Sequence, residues 1–183
     1  MRIIGIAGHM GAGKDTMAQA LMRQLGDKRK TAAIHRFSEP LKQMARDYFG
    51  WDGTKGNELV TVNGNGYTGG RQLLQGLGRV FRAKIAPDYW IKELDKALTF
   101  AESAGVDFVL VPDCRFFNEA LYIEQKGGYL IKVHRTGYAG DNDPSETEMD
   151  EPPFSCLVDA FIHNTTLDRL EHDAEAIADE LCA

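Results

Sequence analysis

Five short apolar runs recur along the chain, separated by longer stretches in which apolar residues return at helical spacing. Each run is apolar on both faces rather than at alternate positions, which is typical of strands that are buried on both faces of a parallel sheet. The predicted strands are residues 2–7, 31–37, 108–111, 129–133 and 160–162.

Helical patterns lie between these strands, because apolar residues three and four positions apart form one face of a helix. Four predicted helices carry such faces: Ala18, Leu21, Met22 and Leu25; Leu41, Met44, Ala45 and Tyr48; Ile91, Leu94, Leu98 and Ala101; and Leu167, Leu170, Ala174, Ile177 and Leu181. Strands that alternate with helices of this length predict a three-layer α/β fold, with a five-stranded parallel sheet and helices on both faces.

Two stretches interrupt this alternation. Seven of the 21 residues in 50–70 are glycine, and within that stretch residues 59–62 followed by Asn63-Gly64 predict a hairpin with a type I′ turn. Residues 136–153 are rich in Gly, Pro, Asp and Glu and have no apolar period. Loops of this length in a compact domain are usually lids, binding loops or disordered segments.

Composition narrows the class of protein. The 183 residues are 43% apolar and 26% charged, which suits one soluble globular domain. A net charge of −6 provides no basic footprint for a nucleic-acid polymer. No stretch approaches the ~20 apolar residues of a membrane span, and the N-terminus does not resemble a signal peptide. The scattered Cys114, Cys156 and Cys182 indicate reduced thiols, so we expect a cytoplasmic protein without membrane partners.

The clearest chemical motif is G-x-x-x-x-G-K, placed where the first strand should turn into the first helix. Its residues are Gly8, His9, Met10, Gly11, Ala12, Gly13 and Lys14. Glycines let successive backbone N–H groups curl around a phosphate, and the helix N-terminus adds its positive dipole end. Lys14 would reach the β- and γ-phosphates of ATP. The alternative is a glycine-rich turn between strand and helix with a surface lysine. The apolar strand before the motif and the amphipathic helix after it favour the phosphate loop instead.

The residues after the lysine depart from the usual pattern. Asp15 stands where a Ser or Thr commonly binds Mg²⁺, and Thr16 follows. Asp15 can hold Mg²⁺ directly or through water, or it can serve only as a first-turn acid that the helix dipole favours. Thr16 can offer its hydroxyl to the α-phosphate.

A second acid lies at the end of the 108–111 strand. An Asp at the carboxyl end of a strand lies beside the phosphate loop in this architecture, so Asp113 is a candidate to hold Mg²⁺ or its water. Arg115 is placed to contact a phosphoryl group. The alternative is that Asp113 only caps the helix that follows.

A helical stretch at residues 71–82 carries a cationic face. Plotted at about 100° per residue, Arg71, Gln75, Arg79 and Arg82 fall within an arc of roughly 80°. Stacked arginines repel one another unless an anion lies among them, and guanidinium groups suit phosphate recognition. The face is therefore a candidate second anion site, with a solvated basic surface as the alternative.

Taken together, these residues resemble the deoxynucleoside monophosphate kinases of tailed bacteriophages, within the wider P-loop nucleoside monophosphate kinase group. The matching segments are Gly8 to Thr16; Phe37-Ser38-Glu39-Pro40-Leu41-Lys42; Arg71-Gln72-Leu73-Leu74-Gln75; Pro87-Asp88-Tyr89-Trp90; Asp113-Cys114-Arg115-Phe116-Phe117-Asn118-Glu119-Ala120; and Ile162-His163-Asn164. They span nearly the whole chain.

The resemblance implies a single P-loop kinase domain over residues 1–183, with an acceptor-binding insertion at about 38–90 and a lid at about 135–153. It implies transfer of the ATP γ-phosphoryl group to a (deoxy)nucleoside monophosphate, with Mg²⁺, in the host cytoplasm if the gene is a phage's. The implied acceptor-side residues are Ser38, Lys42, Arg71, Gln75, Arg82 and Trp90. The implied phosphate clamps are Arg115 and Arg135, and Asn164 and Thr165 would lie near the ATP base.

Two departures and two alternatives stay open at this point. Arg79 stands where the family is expected to carry a small residue, and the lid is acidic rather than arginine-rich. The chain could instead phosphorylate another small acceptor, such as dephospho-coenzyme A or phosphomevalonate, or act as a nucleotide-binding switch without transfer. The sequence also leaves open whether the chain forms a homodimer.

Overall fold

The computed structural model describes residues 1–54, 59–62, 65–138 and 143–183, and for 59–62 and 65–68 it describes the backbone alone. The chain divides into two compact units. The first consists of Met1–Arg36 and Lys96–Ala183, and the second of Phe37–Asp95. The predicted insertion at about 38–90 lies inside the second unit.

The first unit is built on a five-stranded sheet. Its strands are β1 (Arg2–Ala7), β2 (Ala32–Ile34), β5 (Phe108–Cys114), β6 (Tyr129–His134) and β7 (Ala160–His163). They lie in the order β2-β5-β1-β6-β7, and every neighbouring pair is parallel. The predicted five-stranded parallel sheet is therefore confirmed.

Helices of the first unit cover both faces of this sheet. They are α1 (Lys14–Asp27), the end of α4 (Tyr89–Ser103), α5 (Phe117–Gln125), the short α6 (Pro144–Thr147) and α7 (Leu167–Cys182). Ile4 and Ile6 of β1 belong to the apolar core formed with α1 and α7. Gly5 points the other way, and a Cβ there would lie 2.6 Å from the Ile123 side chain of α5. Alternating side chains of one strand thus meet helices on opposite faces.

β6 and β7 each extend one residue beyond their predicted ends, and two other strands differ from the prediction by three residues at one end. β2 ends at Ile34 rather than at residue 37, because residues 37–38 form the turn that leads into the next helix. β5 extends to Cys114. Gly5 of β1 pairs with Val111 and Ala7 pairs with Cys114, so β5 contains one more residue than β1 in this interval, which is a β-bulge. Pro112 and Asp113 together lie opposite the single residue Ile6, and Pro112 has no N–H to donate to the ladder.

The second unit contains α2 (Glu39–Phe49), β3 (Leu59–Val62), β4 (Asn65–Gly69), α3 (Gly70–Val80), a π turn (Phe81–Ile85) and the start of α4. β3 and β4 pair antiparallel, with Val62 opposite Asn65, so the predicted hairpin is confirmed. Its turn residues, 63–64, lie outside the described residues. A Cβ at Gly70 would lie 2.2 Å from the Thr54 carbonyl oxygen, so this position at the start of α3 requires glycine.

Among the described residues, no helix has both the length and the apolar character that crossing a bilayer would require.

The three cysteines should differ sharply in reactivity in the folded chain. Cys114 is fully buried in β5, and burial raises the pKa of its thiol well above the usual value, whereas Cys156 is exposed. Because the thiolate is the reactive form, iodoacetamide in native buffer should label Cys156 and spare Cys114. Mass spectrometry of the labelled peptides checks this, with denatured protein as the control in which all three react. Equal labelling of Cys114 and Cys156 in native buffer would contradict the buried position.

Candidate active site

The loop between β1 and α1 has a backbone that side chains would disrupt. Gly8, Gly11 and Gly13 have φ of 145°, 79° and 104°, in the region that L-residues rarely adopt. A Cβ at Gly8 would lie 2.3 Å from the Val133 carbonyl oxygen, which is backbone and has little room to move. The glycines of the motif are therefore required by geometry, and the loop (residues 8–14, here the P-loop) lies at the carboxyl ends of β1 and β6.

Lys14 begins α1 and is buried, with 7% of its surface exposed. Its ammonium donates to the carbonyl oxygens of Gly8 at 2.6 Å and His9 at 2.7 Å, so it folds back over the loop. Burial, followed by the positive charge of Arg115, lowers the pKa of Lys14 to about 8. A buried cation that another cation further disfavours gains strongly from an anion placed between them.

The end of β5 brings Asp113 and Arg115 to the same loop. Both side chains, with Asp15, lie near enough to Lys14 for their charges to act on its pKa. The Glu119 carboxylate accepts the backbone N–H of Arg115 at 2.9 Å and of Phe116 at 3.2 Å. Helix α5 therefore begins after Phe116, which is its N-cap, and Glu119 binds the N–H groups of the two residues just before the helix. Asp113 is not the cap of this helix.

The structure allows a test of whether the candidate metal ligands suit Mg²⁺. Asp15 is largely exposed and pairs with Arg36 at 2.6 Å, and Asp113 is half-buried. Within the described part of the chain, no three His, Cys, Asp or Glu residues cluster as a metal cage. Two carboxylates beside a phosphate loop nevertheless fit Mg²⁺, which commonly takes one or two protein carboxylates and completes its shell with water and phosphate.

Asn164 contacts the P-loop directly. Its side-chain amide donates to the Ala12 carbonyl oxygen at 2.8 Å, and a Cβ at Gly13 would collide with it at 2.4 Å. Thr165 and Thr16 are exposed. Asn164 thus braces the loop at the end of β7, and the predicted contact with the ATP base stays a prediction.

Three residues at the P-loop, Tyr138, Glu146 and Asp150, were not singled out from the sequence as site residues. The Tyr138 ring lies against Gly11, where a Cβ would come within 2.4 Å of it, and the exposed Arg135 guanidinium stacks on the same ring at 4.5 Å. Glu146 of α6 is buried and contacts the loop and Arg115. Asp150 pairs with His9 at 2.9 Å. The Asp143-Pro144 pair, a typical helix start, is the one local signal that could have located α6.

The predicted acceptor-side residues all lie in the second unit. Ser38 precedes α2, and Lys42 within α2 lies 3.9 Å from the Glu39 carboxylate. The half-buried members of the set are Ser38, Lys42, Arg71, Gln75 and Arg82.

Trp90 differs from the other acceptor-side residues because it is buried, with 2% of its surface exposed. Its indole N–H lies 3.4 Å from the Gly78 carbonyl oxygen of α3. The ring packs with Phe81 and Tyr89 at centroid distances of 5.2 and 4.8 Å. Trp90 therefore joins the start of α4 to α3 within the second unit.

A five-stranded parallel sheet, a glycine-shaped phosphate loop and a buried lysine at the following helix define a P-loop NTPase fold of the kinase class. No model of a protein family matches the sequence. The chain is 31% identical over 170 residues to a protein of Acanthamoeba polyphaga mimivirus named "Putative deoxynucleotide monophosphate kinase", and the match covers 81% of this chain and 82% of the relative. The chain therefore belongs to the deoxynucleotide monophosphate kinase family.

A solved kinase structure has a similar fold. A sugar kinase from Janibacter sp. HTCC2649 aligns with a TM-score of 0.51 at 11% identity, over 98% of this chain and 95% of its own. The APS kinase of Mycobacterium tuberculosis aligns with a TM-score of 0.47 at 14% identity, over 100% of this chain and 97% of the APS kinase chain.

Proposed function

We propose that this kinase transfers the γ-phosphoryl group of ATP to deoxynucleoside 5′-monophosphates and releases the diphosphates. The observation that carries the proposal is the convergence of Lys14, Asp113 and Arg115 on one glycine-shaped loop. The name of the mimivirus relative supports the nucleotide acceptor. The phage-type origin and the cytoplasmic location stay predictions.

On the donor side, the P-loop backbone would hold the ATP phosphates. Lys14 and Arg115 are two neighbouring cations, and a γ-phosphate bound beside them would relieve their mutual repulsion. In the transition state, negative charge is spread over the equatorial oxygens of the transferred phosphoryl group, and the two cations would stabilise it. Mg²⁺, held by Asp113 and Asp15 or their waters, would supply charge neutralisation between the β- and γ-phosphates. Thr16 keeps its predicted contact with the α-phosphate, and Arg135, Asn164 and Thr165 keep the roles predicted from the resemblance.

On the acceptor side, α3 carries Arg71 and Gln75, and the π turn that follows it carries Arg82. Ser38 and Lys42 lie at the start of α2. Guanidinium groups bind a phosphate through two parallel N–H donors. Trp90 would support this surface from within, because its indole packs under the π turn that carries Arg82.

The acceptor needs no activated protein nucleophile. The second pKa of a phosphate monoester is about 6, so the monophosphate is already an anion near neutral pH. The protein must align it in line with the γ-phosphate, neutralise charge and exclude water. Arg79 stands where the family is expected to carry a small residue, so the shape of the acceptor pocket cannot be taken from the family and the base preference must be measured.

The assignment is tested by coupled ADP release with each deoxy- and ribonucleoside monophosphate as acceptor. Dephospho-coenzyme A and phosphomevalonate are included as alternative acceptors. We expect turnover that requires a nucleoside monophosphate and Mg²⁺. Turnover with an alternative acceptor alone would change the substrate class, and nucleotide binding without any acceptor-dependent turnover would support a switch instead.

Substitution of Arg71 tests the acceptor side. Arg71→Ala should raise KM for the monophosphate by about 10- to 100-fold with a smaller change in KM for ATP, because it removes one charge-assisted bidentate contact. Lys84→Ala is the charge-matched control, since Lys84 is an exposed cation of the same unit. A selective rise in KM for ATP would place α3 on the donor side and contradict the model of the site.

A further inference from the structure

Glu146 is a carboxylate in an unusual position for a phosphate site. It belongs to α6, in a segment predicted only as an acidic lid, yet just 2% of its surface is exposed. Burying a carboxylate is costly unless hydrogen bonds and a cation compensate. Its partners therefore show what the burial achieves.

Those partners are the P-loop and its arginine. Glu146 Oε2 accepts the backbone N–H of Met10 at 3.0 Å and lies 3.8 Å from His9 Nδ1. The other oxygen, Oε1, accepts from Nη1 of Arg115. One buried carboxylate thus joins the third residue of the loop to the side chain that follows β5.

The way in which Arg115 is held leaves part of its guanidinium available. Nη1 donates to Glu146 and, at 2.8 Å, to the Ser145 carbonyl oxygen. Within the described ranges, no hydrogen bond of Arg115 Nη2 or Nε is found, and 24% of the side chain is exposed. A guanidinium fixed through one nitrogen keeps its other donors for a second, bidentate contact.

We propose that Glu146 is a positioning residue of phosphoryl transfer: it holds Arg115 by Nη1, so that Nη2 and Nε face the phosphate beside Lys14. The inference rests on the proposed function and adds to it the residue that orients the arginine. Two further contacts secure the segment that carries Glu146, because Lys132 donates to the Met149 carbonyl oxygen at 2.8 Å and Glu148 accepts the Phe117 N–H at 2.7 Å.

Glu146→Gln is the sharpest substitution. Glutamine keeps the shape and an oxygen for the Met10 N–H, but it loses the charge that fixes Arg115. We expect kcat to fall about 10- to 100-fold, the loss that a misplaced group near the reacting atoms produces, while Kd for MgATP by calorimetry changes less than about threefold. The matched control is Glu151→Gln, an exposed acid of the same segment that lies outside the contacts described above; its kcat should stay within about twofold of wild type.

A double-mutant cycle separates positioning from mere support of the fold. If Glu146 acts through Arg115, Glu146→Gln should cost less than about twofold in kcat when Arg115 has already been changed to Ala. Melting curves accompany each variant, because Arg115→Ala alone leaves Glu146 buried without its cation. If that variant melts below the assay temperature, Arg115→Lys replaces it. Lysine keeps a positive charge for Glu146 but lacks the planar fork of donors that binds a phosphate through two parallel N–H groups.

Each remaining outcome overturns the proposal. Tighter MgATP binding with unchanged kcat in Glu146→Gln would mean that the carboxylate competes with phosphate for the loop. Multiplicative losses in the cycle would mean that Glu146 does not act through Arg115. Failure of the proposed function would give a different result, because the wild-type protein would then show no acceptor-dependent ADP release. In that case the same variants are compared by acceptor-independent ATP hydrolysis, in which water takes the acceptor's place.

Discussion

Lys14→Ala is expected to lower kcat for phosphoryl transfer about 10³-fold while the chain stays folded. The Lys14 ammonium is the cation that the P-loop itself encloses, and it lies next to Arg115 where the γ-phosphate charge would develop. Loss of one preorganised donor at a developing charge typically costs about 10²- to 10³-fold in kcat. We expect a loss at the upper end of that range, because Lys14 carries a full charge.

The fold should tolerate this change. Burial lowers the pKa of Lys14 to about 8, so the folded chain holds this ammonium at an electrostatic cost, and removing the charge removes that cost. Lys14→Met keeps most of the volume of the stem and should be equally inactive, with a melting temperature close to that of wild type. Lys30→Ala, an exposed lysine outside the site, is the control that should retain full activity. Near-normal kcat in Lys14→Ala would refute the role of the lysine.

Gly8→Ala should damage both stability and activity. The φ of 145° is strained for any L-residue, and the added Cβ would lie 2.3 Å from the Val133 carbonyl oxygen in β6. We expect a loss of about 2 kcal/mol or more in the free energy of unfolding, from backbone strain and overpacking together. For a chain of this size, that corresponds to a fall in melting temperature of about 5 °C or more.

Gly26→Ala is the matched control for this prediction. Gly26 lies in α1, no atom comes within 4 Å of its ideal Cβ, and its φ is not positive. Alanine inside a helix is favoured over glycine by about 0.5–1 kcal/mol, so this variant should melt at or above the wild-type temperature. Differential scanning calorimetry of both variants makes the comparison. If Gly8→Ala melted like Gly26→Ala, the cramped loop geometry would be wrong.

The elements of the sheet were predictable because their signals are local. A run of apolar residues such as 129–133 is interpretable without its neighbours, and the order of strands and helices then indicates a parallel sheet. The P-loop was predictable for the same reason, since Gly8 to Lys14 are consecutive. Where the predicted bounds were wrong, as at residue 37 and at Cys114, the cause was a contact with another element: the turn into α2, and the pairing of β5 with β1 around Pro112.

Glu146 shows where local signals stop. It is separated by 136 residues from Met10 and by 31 from Arg115, and it is one acid among several in a segment without apolar period. Its neighbours in the sequence do not distinguish it from Glu148, whose carboxylate contacts the first residue of α5 instead.

The sequence by itself therefore determined the class of fold, the phosphate loop and the candidates Lys14, Asp113 and Arg115, because each depends on residues that are neighbours along the chain. Only the tertiary structure decided that a buried carboxylate of α6 holds Arg115, that Asn164 braces the P-loop and that Asp113 is not a helix cap. The physical reason is that burial and charge pairing depend on which segments meet in space, and the cost of burying a charge can be assessed only once its partner is known.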